Sequence, residues 1–89
     1  MTSYLVEYLI VAPHASVAAF RTWLTKSVPW ARELVVVGDE EIIHVHLRTG
    51  RPDLALRAGI ECGTVQEIVI ESATTPLEAR AGQPTRTER

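Results

Sequence analysis

Hydrophobic positions along the first third of the chain change from the spacing of a strand to that of a helix. β-Branched and aromatic residues from Tyr4 to Val11 predict a strand that stops before Pro13. From Ser16, a candidate N-cap, apolar residues recur every three or four positions as far as Val28. This spacing predicts a helix, which the following proline ends.

The rest of the chain predicts a hairpin, a second helix and a last strand. Two apolar runs, Leu34 to Val37 and Ile42 to Leu47, are separated by a Gly-Asp turn and predict a β-hairpin. Pro52 at the first helical position and Gly63 after the last turn bound the second helix. The segment from Val65 to Glu71 alternates as a fourth strand. The residues expected on the buried side of the second helix are Leu54, Ala55, Leu56, Ala58 and Ile60.

The order β-α-β-β-α-β predicts an α+β protein, a ferredoxin-like sandwich with an antiparallel sheet and two helices on one face. The other face of the sheet is then bare, so it is hydrated, covered by a partner or used as a site. We expect a single domain over residues 1–71. Residues 72–89 lose the apolar pattern and gather Pro, Thr, Gly and Arg, which predicts a flexible C-terminal tail.

Composition narrows the class of function. With 89 residues and a net charge of −2, the chain can bury one small core and does not resemble a binder of nucleic acid or anionic membranes. No apolar run approaches the ~20 residues that cross a bilayer, so we expect a cytoplasmic protein. Cys62 is the only cysteine and is expected to be a small buried residue. The glycines are isolated, which predicts no nucleotide site on this chain.

The candidate chemistry lies on the third strand. Because side chains alternate along a strand, His44 and His46 point to the same side, opposite Ile43 and Val45, and thus to the bare face. Two imidazoles at this spacing can share a metal ion or act as an acid/base pair, but they can equally be two solvated side chains. If Glu7 also faces outward, it completes a two-histidine, one-carboxylate set or simply orients one imidazole.

One stretch resembles a known family. The segment ELVVVGDEEIIHVHLRT is similar to DAK-domain proteins related to the large subunit of bacterial fatty acid kinase, which carry a VVVGDD hairpin, an HVH pair, a proline-initiated helix and an IxIE strand. Upstream, SYLVEYLI resembles the family's GYCTEFLL strand. The matching pieces here are Val35 to Asp39, Ile42 to His46, Pro52 to Gly63 and Ile68 to Glu71.

The resemblance implies the central domain of those kinases, which supplies a subunit interface and a Cys/His/His cluster for phosphoryl transfer. The two histidines carry over to His44 and His46 as catalytic residues. Leu5 takes the place of the cysteine, and it is expected to lie with Glu7 across from the histidine pair. Without the thiolate, any zinc held by His44, His46 and Glu7 is expected to bind weakly.

Two classes of function follow. The first is an accessory and oligomerisation domain of a DAK-type fatty acid kinase system, inactive alone, working with a DhaL-like ATP-binding protein and a fatty-acid-binding protein. The second is a non-catalytic ferredoxin-like dimerisation or ligand-binding module. In both, the small domain with its bare sheet face and two tryptophans predicts a homodimer.

Overall fold

A computed structural model describes residues 2–72 of the chain. The elements are β1 (Tyr4–Val11), α1 (Val17–Ser27), β2 (Arg32–Gly38), β3 (Ile42–Thr49), α2 (Pro52–Cys62) and β4 (Thr64–Ser72). Every neighbouring pair of strands is antiparallel, and their order across the sheet is β2-β3-β1-β4. The ferredoxin-like prediction is therefore confirmed. Ser72 ends β4, and the rest of the predicted tail lies outside the described residues.

The core lies between the sheet and the two helices. Alternate residues of the two central strands face the helices and are almost fully buried, as predicted for β3, whereas alternation alone left the inward face of β1 open. The buried apolar residues of these strands are Val6, Tyr8 and Ile10 in β1 and Ile43, Val45 and Leu47 in β3. Phe20 and Leu24 of α1 are buried in the same core, on the helix side of the sheet. The remaining residues of β1 and β3 lie on the face of the sheet away from the helices.

Helix α1 begins and ends where the sequence predicted. The Ser16 side chain accepts a 3.1 Å hydrogen bond from the backbone N–H of Ala19, which makes it the N-cap. Such a cap contributes about 1 kcal/mol to stability. At the other end, the N–H of Val28 donates to the Leu24 carbonyl, and Pro29 follows. The two ends of this helix are therefore fixed by local chemistry.

Helix α2 lies close to the sheet through a stripe of small residues. Ala55, Ala58, Gly59 and Cys62 are its buried residues. Ile60, which was expected on the buried side, is 63% exposed, so that prediction was wrong. The reason is geometric, because a helix repeats every 3.6 residues and Ile60 falls on the side opposite the small stripe. Cys62 is buried, as expected.

Gly63 follows α2 for a reason other than the left-handed turn expected of a C-terminal glycine. Its φ of 176° is extended backbone, which any residue adopts. What excludes a side chain here is space, since a Cβ would stand 2.8 Å from Ile10 Cγ2 and 3.0 Å from the Val11 carbonyl oxygen. Gly63 thus lets the chain pass from α2 into β4 directly against the end of β1.

Neither helix within residues 2–72 is long and apolar enough to cross a membrane.

Candidate functional site

The face of the sheet away from the helices, called the open face below, carries the predicted site residues. On β3 it presents His44, His46 and Arg48, which alternate with the buried apolar residues. On β1 it presents Leu5, Glu7 and Leu9. The alternation therefore places the histidine pair and Glu7 on the same side, as predicted.

The register between β1 and β3 corrects one detail. Glu7 lies directly opposite His46, but the residue opposite His44 is Leu9. Leu5 was expected to lie across from the histidines, and it instead pairs with Arg48. A sequence pattern fixes which face a residue occupies, whereas the partner across the strand depends on the register, which is set by turns and packing elsewhere.

His46 is held between two carboxylates. Its Nδ1 lies 3.0 Å from Glu7 Oε2, within hydrogen-bonding distance. Its Nε2 lies 3.9 Å from Glu33 Oε1, beyond hydrogen-bonding distance. The imidazole is about one-third exposed, so one edge is anchored to β1 while the ring remains accessible from solvent. A carboxylate on one ring nitrogen fixes the orientation of the ring, as in many sites where histidine moves protons or binds ligands.

Glu33 is a site residue that the sequence did not reveal. It lies in β2, where the pairing with β3 shifts between Arg32 and Val35, and its φ of 52° is left-handed. This conformation is uncommon for a residue with a side chain. The irregular strand brings its carboxylate towards both His46 and Arg48, with Oε2 3.6 Å from Arg48 Nη1. A bulge of this kind depends on pairing between distant segments, so nothing in the local sequence signals it.

A second bulge lies on the other edge strand. The pairing of β1 with β4 shifts between Glu7 and Leu9, and Glu67 of β4 also has a left-handed φ, of 54°. Between the edge strands the open face is concave, with a volume of about 480 Å³. Its lining combines the polar residues Glu7, His44, His46 and Glu67 with the apolar residues Leu9, Val35, Ile68 and Val69. The site is therefore an open groove lined by both polar and apolar side chains.

His44 has different surroundings from His46. It is exposed, and the residues paired with it across the sheet are Leu9 on β1 and Val37 on β2. Within residues 2–72, no group of three or more His, Cys, Asp or Glu side chains is arranged to hold a metal ion. The side chains as they stand thus pair Glu7 with His46 and do not form a three-ligand zinc site around both histidines. The weak zinc binding expected for the set stays a prediction.

Two ionisable groups near the site have shifted pKa values. Burial raises the pKa of the Tyr8 phenol, which lies beneath the site on the helix side and donates a 2.7 Å hydrogen bond to the Ala55 carbonyl. In the turn between β2 and β3, the backbone N–H groups of Ile42 and Glu41 donate to the Asp39 carboxylate and lower its pKa. Neither group belongs to the groove, but Asp39 closes the hairpin that presents His44.

The two tryptophans lie away from this groove. Trp23 is 48% exposed on α1, and Trp30 is 91% exposed in the segment between α1 and β2. They are therefore surface residues in the single chain, and packing against a second copy of the chain remains the expectation for them.

The chain matches the model of a known protein family. A family model that describes the FakA-like middle domain of fatty acid kinase matches residues 1–78. The match includes every strand and helix of the fold and all the residues of the groove. No curated protein matches the chain significantly.

Proposed function

Since the chain belongs to the FakA-like middle domain family of fatty acid kinases, we propose that it is the accessory and oligomerisation domain of an acyl kinase system. In this role it contributes His44 and His46 to phosphoryl transfer onto a fatty acid and leaves ATP binding to another protein. We place this activity in the cytoplasm, with a DhaL-like ATP-binding protein and a fatty-acid-binding protein as partners.

The contact between His46 and Glu7 is the observation that carries the catalytic part of the proposal. Phosphoryl transfer needs little covalent chemistry from the protein and depends on positioning and on stabilising charge. An imidazole anchored at Nδ1 by a carboxylate 3.0 Å away is a positioned proton donor or acceptor. The apolar side chains that line the groove beside it suit the chain of an acyl substrate.

We assign ATP binding to another protein because this chain lacks the usual features of a nucleotide site. Its five glycines are scattered, and the sequence has no glycine-rich loop leading into a helix. The three carboxylates around the groove, Glu7, Glu33 and Glu67, come from different strands. They are not gathered into a magnesium site within residues 2–72. These features support the proposal that another protein of the system binds ATP.

Oligomerisation is the second part of the proposal. Large apolar side chains remain exposed in the single chain, among them Trp30, Ile60 and Val37 at 91%, 63% and 53%. A homodimer that covers about 1,200 Å² or more would bury part of this surface. Analytical ultracentrifugation should show a species of twice the chain mass at micromolar concentration. Sedimentation of a species near the 9.9 kDa monomer alone at high micromolar concentration would contradict this part.

Reconstitution tests the catalytic part. The chain is mixed with the DhaL-like protein of the same genome, Mg-ATP and a fatty-acid-binding protein loaded with a long-chain fatty acid, and acyl phosphate is trapped with hydroxylamine. We expect His44→Ala and His46→Ala to reduce product formation at least 100-fold, roughly the scale of a lost acid/base group. Glu7→Gln should cause a smaller loss, because it removes only the group that orients His46.

His14→Ala is the matched control, because His14 is exposed in the segment between β1 and α1, away from the groove. It should leave the rate unchanged. If His44→Ala and His46→Ala also retain full activity, the catalytic role is wrong. Oligomerisation without any effect of the chain on acyl phosphate formation would favour the non-catalytic dimerisation or ligand-binding module instead.

A further inference from the structure

Arg48 is a charged residue of the open face to which the proposed function assigns no role. It follows His46 by two positions on β3, so its Cα lies roughly 6 to 7 Å from that of His46 on the same side of the sheet. The Nε of Arg48 is shielded from solvent and has no hydrogen-bond partner among residues 2–72. The side chain as a whole is 38% exposed, so the guanidinium can be reached from solvent. A shielded donor without a partner is unfavourable and calls for an explanation.

The carboxylate of Glu33 lies between Arg48 and His46 without a hydrogen bond to either. Oε2 is 3.6 Å from Arg48 Nη1, and Oε1 is 3.9 Å from His46 Nε2. Charge-assisted hydrogen bonds to carboxylates are normally about 2.7–2.9 Å long. His46 and Arg48 therefore both lie near the Glu33 carboxylate, but neither is close enough to donate a hydrogen bond to it. The backbone of Glu33 is left-handed, with a φ of 52°.

We propose that the space between His46 Nε2 and the Arg48 guanidinium is a binding site for a tetrahedral oxyanion, a phosphate group, which Glu33 occupies in the free protein. Phosphate is larger than a carboxylate and carries more oxygens, so it can approach both donors at hydrogen-bonding distance. A small rotation of the guanidinium also turns the unpaired Nε towards the bound oxyanion.

The neighbouring charged side chains either favour or oppose phosphate binding at this position. Arg32 pairs with Arg48 across β2 and β3, so a second guanidinium lies at the same end of the sheet. The Glu7 carboxylate lies at hydrogen-bonding distance from Nδ1 of His46, and Glu71 of β4 pairs with Leu5 of β1. The incoming phosphate must displace the Glu33 carboxylate. Glu7 supports binding, because a ring that donates to a carboxylate at Nδ1 and to phosphate at Nε2 is satisfied at both nitrogens.

This inference deepens the proposed function, because it locates the phosphoryl group of an acyl phosphate beside the histidine pair. It does not depend on a kinase partner for its test. The isolated chain is titrated with inorganic phosphate and, separately, with acetyl phosphate, and the backbone amide shifts of β3 are followed by NMR. We expect saturable shifts at His46 and Arg48, with a dissociation constant of about 1 mM for the unmodified chain.

Three variants decide the outcome. Glu33→Gln should bind inorganic phosphate at least about three times more tightly, because the competing charge is removed. Arg48→Gln should bind at least about ten times more weakly, and Arg48→Lys should fall between, since it keeps the charge but loses the planar set of donors. Arg57→Gln is the matched control, because Arg57 lies on α2 on the other side of the sheet and should leave binding unchanged.

An unchanged affinity in Arg48→Gln and Arg48→Lys, or weaker binding in Glu33→Gln, would overturn the phosphate site. Far-ultraviolet circular dichroism of each variant shows whether a loss of binding reflects unfolding. Binding of both phosphate compounds supports the site, and binding of neither by the folded chain refutes it. If phosphate binding fails while reconstituted acyl phosphate formation persists, the site is wrong and the kinase function stands. The reverse result leaves the phosphate site without the kinase function.

Discussion

Replacement of Gly59 by alanine tests how closely α2 packs against the sheet. A Cβ at this position would stand 2.6 Å from Tyr8 Cε1 and 2.9 Å from Cζ, whereas ordinary contacts are 3.4–4 Å. Tyr8 has little room to retreat, because it is 2% exposed and its hydroxyl donates a 2.7 Å hydrogen bond to the Ala55 carbonyl. The added methyl group must therefore push α2 away from β1 or move the ring.

The net effect can be estimated from three contributions. Overpacking a core costs roughly 1–3 kcal/mol. Weakening the buried bond from Tyr8 to Ala55 costs on the order of 1 kcal/mol more. Alanine returns about 1 kcal/mol, because it is a better helix former than glycine. We expect Gly59→Ala to lower the free energy of unfolding by about 2 kcal/mol, which corresponds to a fall in Tm of roughly 8–16 °C for a domain of this size.

Urea denaturation followed by circular dichroism measures this change. The adjacent Ile60→Ala is the matched control on the same helix, because Ile60 is 63% exposed and its loss should cost less than about 0.5 kcal/mol. In a Tyr8→Leu background the ring is absent, so Gly59→Ala should become neutral or stabilising. A Gly59→Ala protein as stable as the unmodified chain, or equal effects in both backgrounds, would refute the close packing of Gly59 on Tyr8.

Three further predictions concern the hairpin turn, zinc binding in the groove and nucleotide binding by the chain. Backbone hydrogen bonds from Ile42 and Glu41 lower the pKa of Asp39 in the folded chain, so its carboxylate stabilises the fold above the ordinary pKa, and this contribution is lost as the pH falls through the folded value. The difference in stability between the unmodified chain and Asp39→Asn should therefore shrink as denaturation experiments move from neutral pH to below the ordinary aspartate pKa. Zinc should bind with a dissociation constant in the micromolar range or above, and Leu9→Cys should tighten it at least tenfold, about 1.4 kcal/mol, in a competition titration, whereas Leu5→Cys should not, because Leu9 pairs with His44 and Leu5 pairs with Arg48. Calorimetry of the chain alone with Mg-ATP should give a dissociation constant no tighter than roughly 100 μM, and tighter binding would show a nucleotide site that the sequence does not predict.

The parts of the fold that could be predicted are those with local causes. The β1 strand and the start of α1 at Ser16 match the structure, because alternation, capping and proline act over a few residues. Apolarity alone does not identify the buried side of α2, because the apolar Ile60 is exposed. The actual choice is made by Gly59, whose lack of a side chain makes room for Tyr8, a residue 51 positions earlier in the chain.

The candidate site divides in the same way. The side of the sheet occupied by His44 and His46 follows from alternation and could be predicted. The pairing of Glu7 with His46 could be predicted only in part. The charge of Glu7 indicates which face it occupies, but its partner is determined by the register of the strands. Glu33 lies just outside the predicted strand, which begins at Leu34, and its contacts with His46 and Arg48 depend on a bulge between β2 and β3 that the sequence does not signal.

Both edge strands are irregular beside the charged residues of the open face. Val35 and Val37 pair with His46 and His44, so simple alternation would already turn Glu33 to the open face. The bulge instead shifts the pairing of β2, so that Arg32 and not Glu33 pairs with Arg48. A left-handed residue that is not glycine costs on the order of 1 kcal/mol or more, and it persists only where its surroundings enforce it. The exposed contacts of Glu33 with His46 and Arg48 are too long to offset that cost by themselves. The two ion pairs therefore do not explain the strained backbone of Glu33, and this agrees with the proposed role of Glu33 as a carboxylate that a bound phosphate displaces.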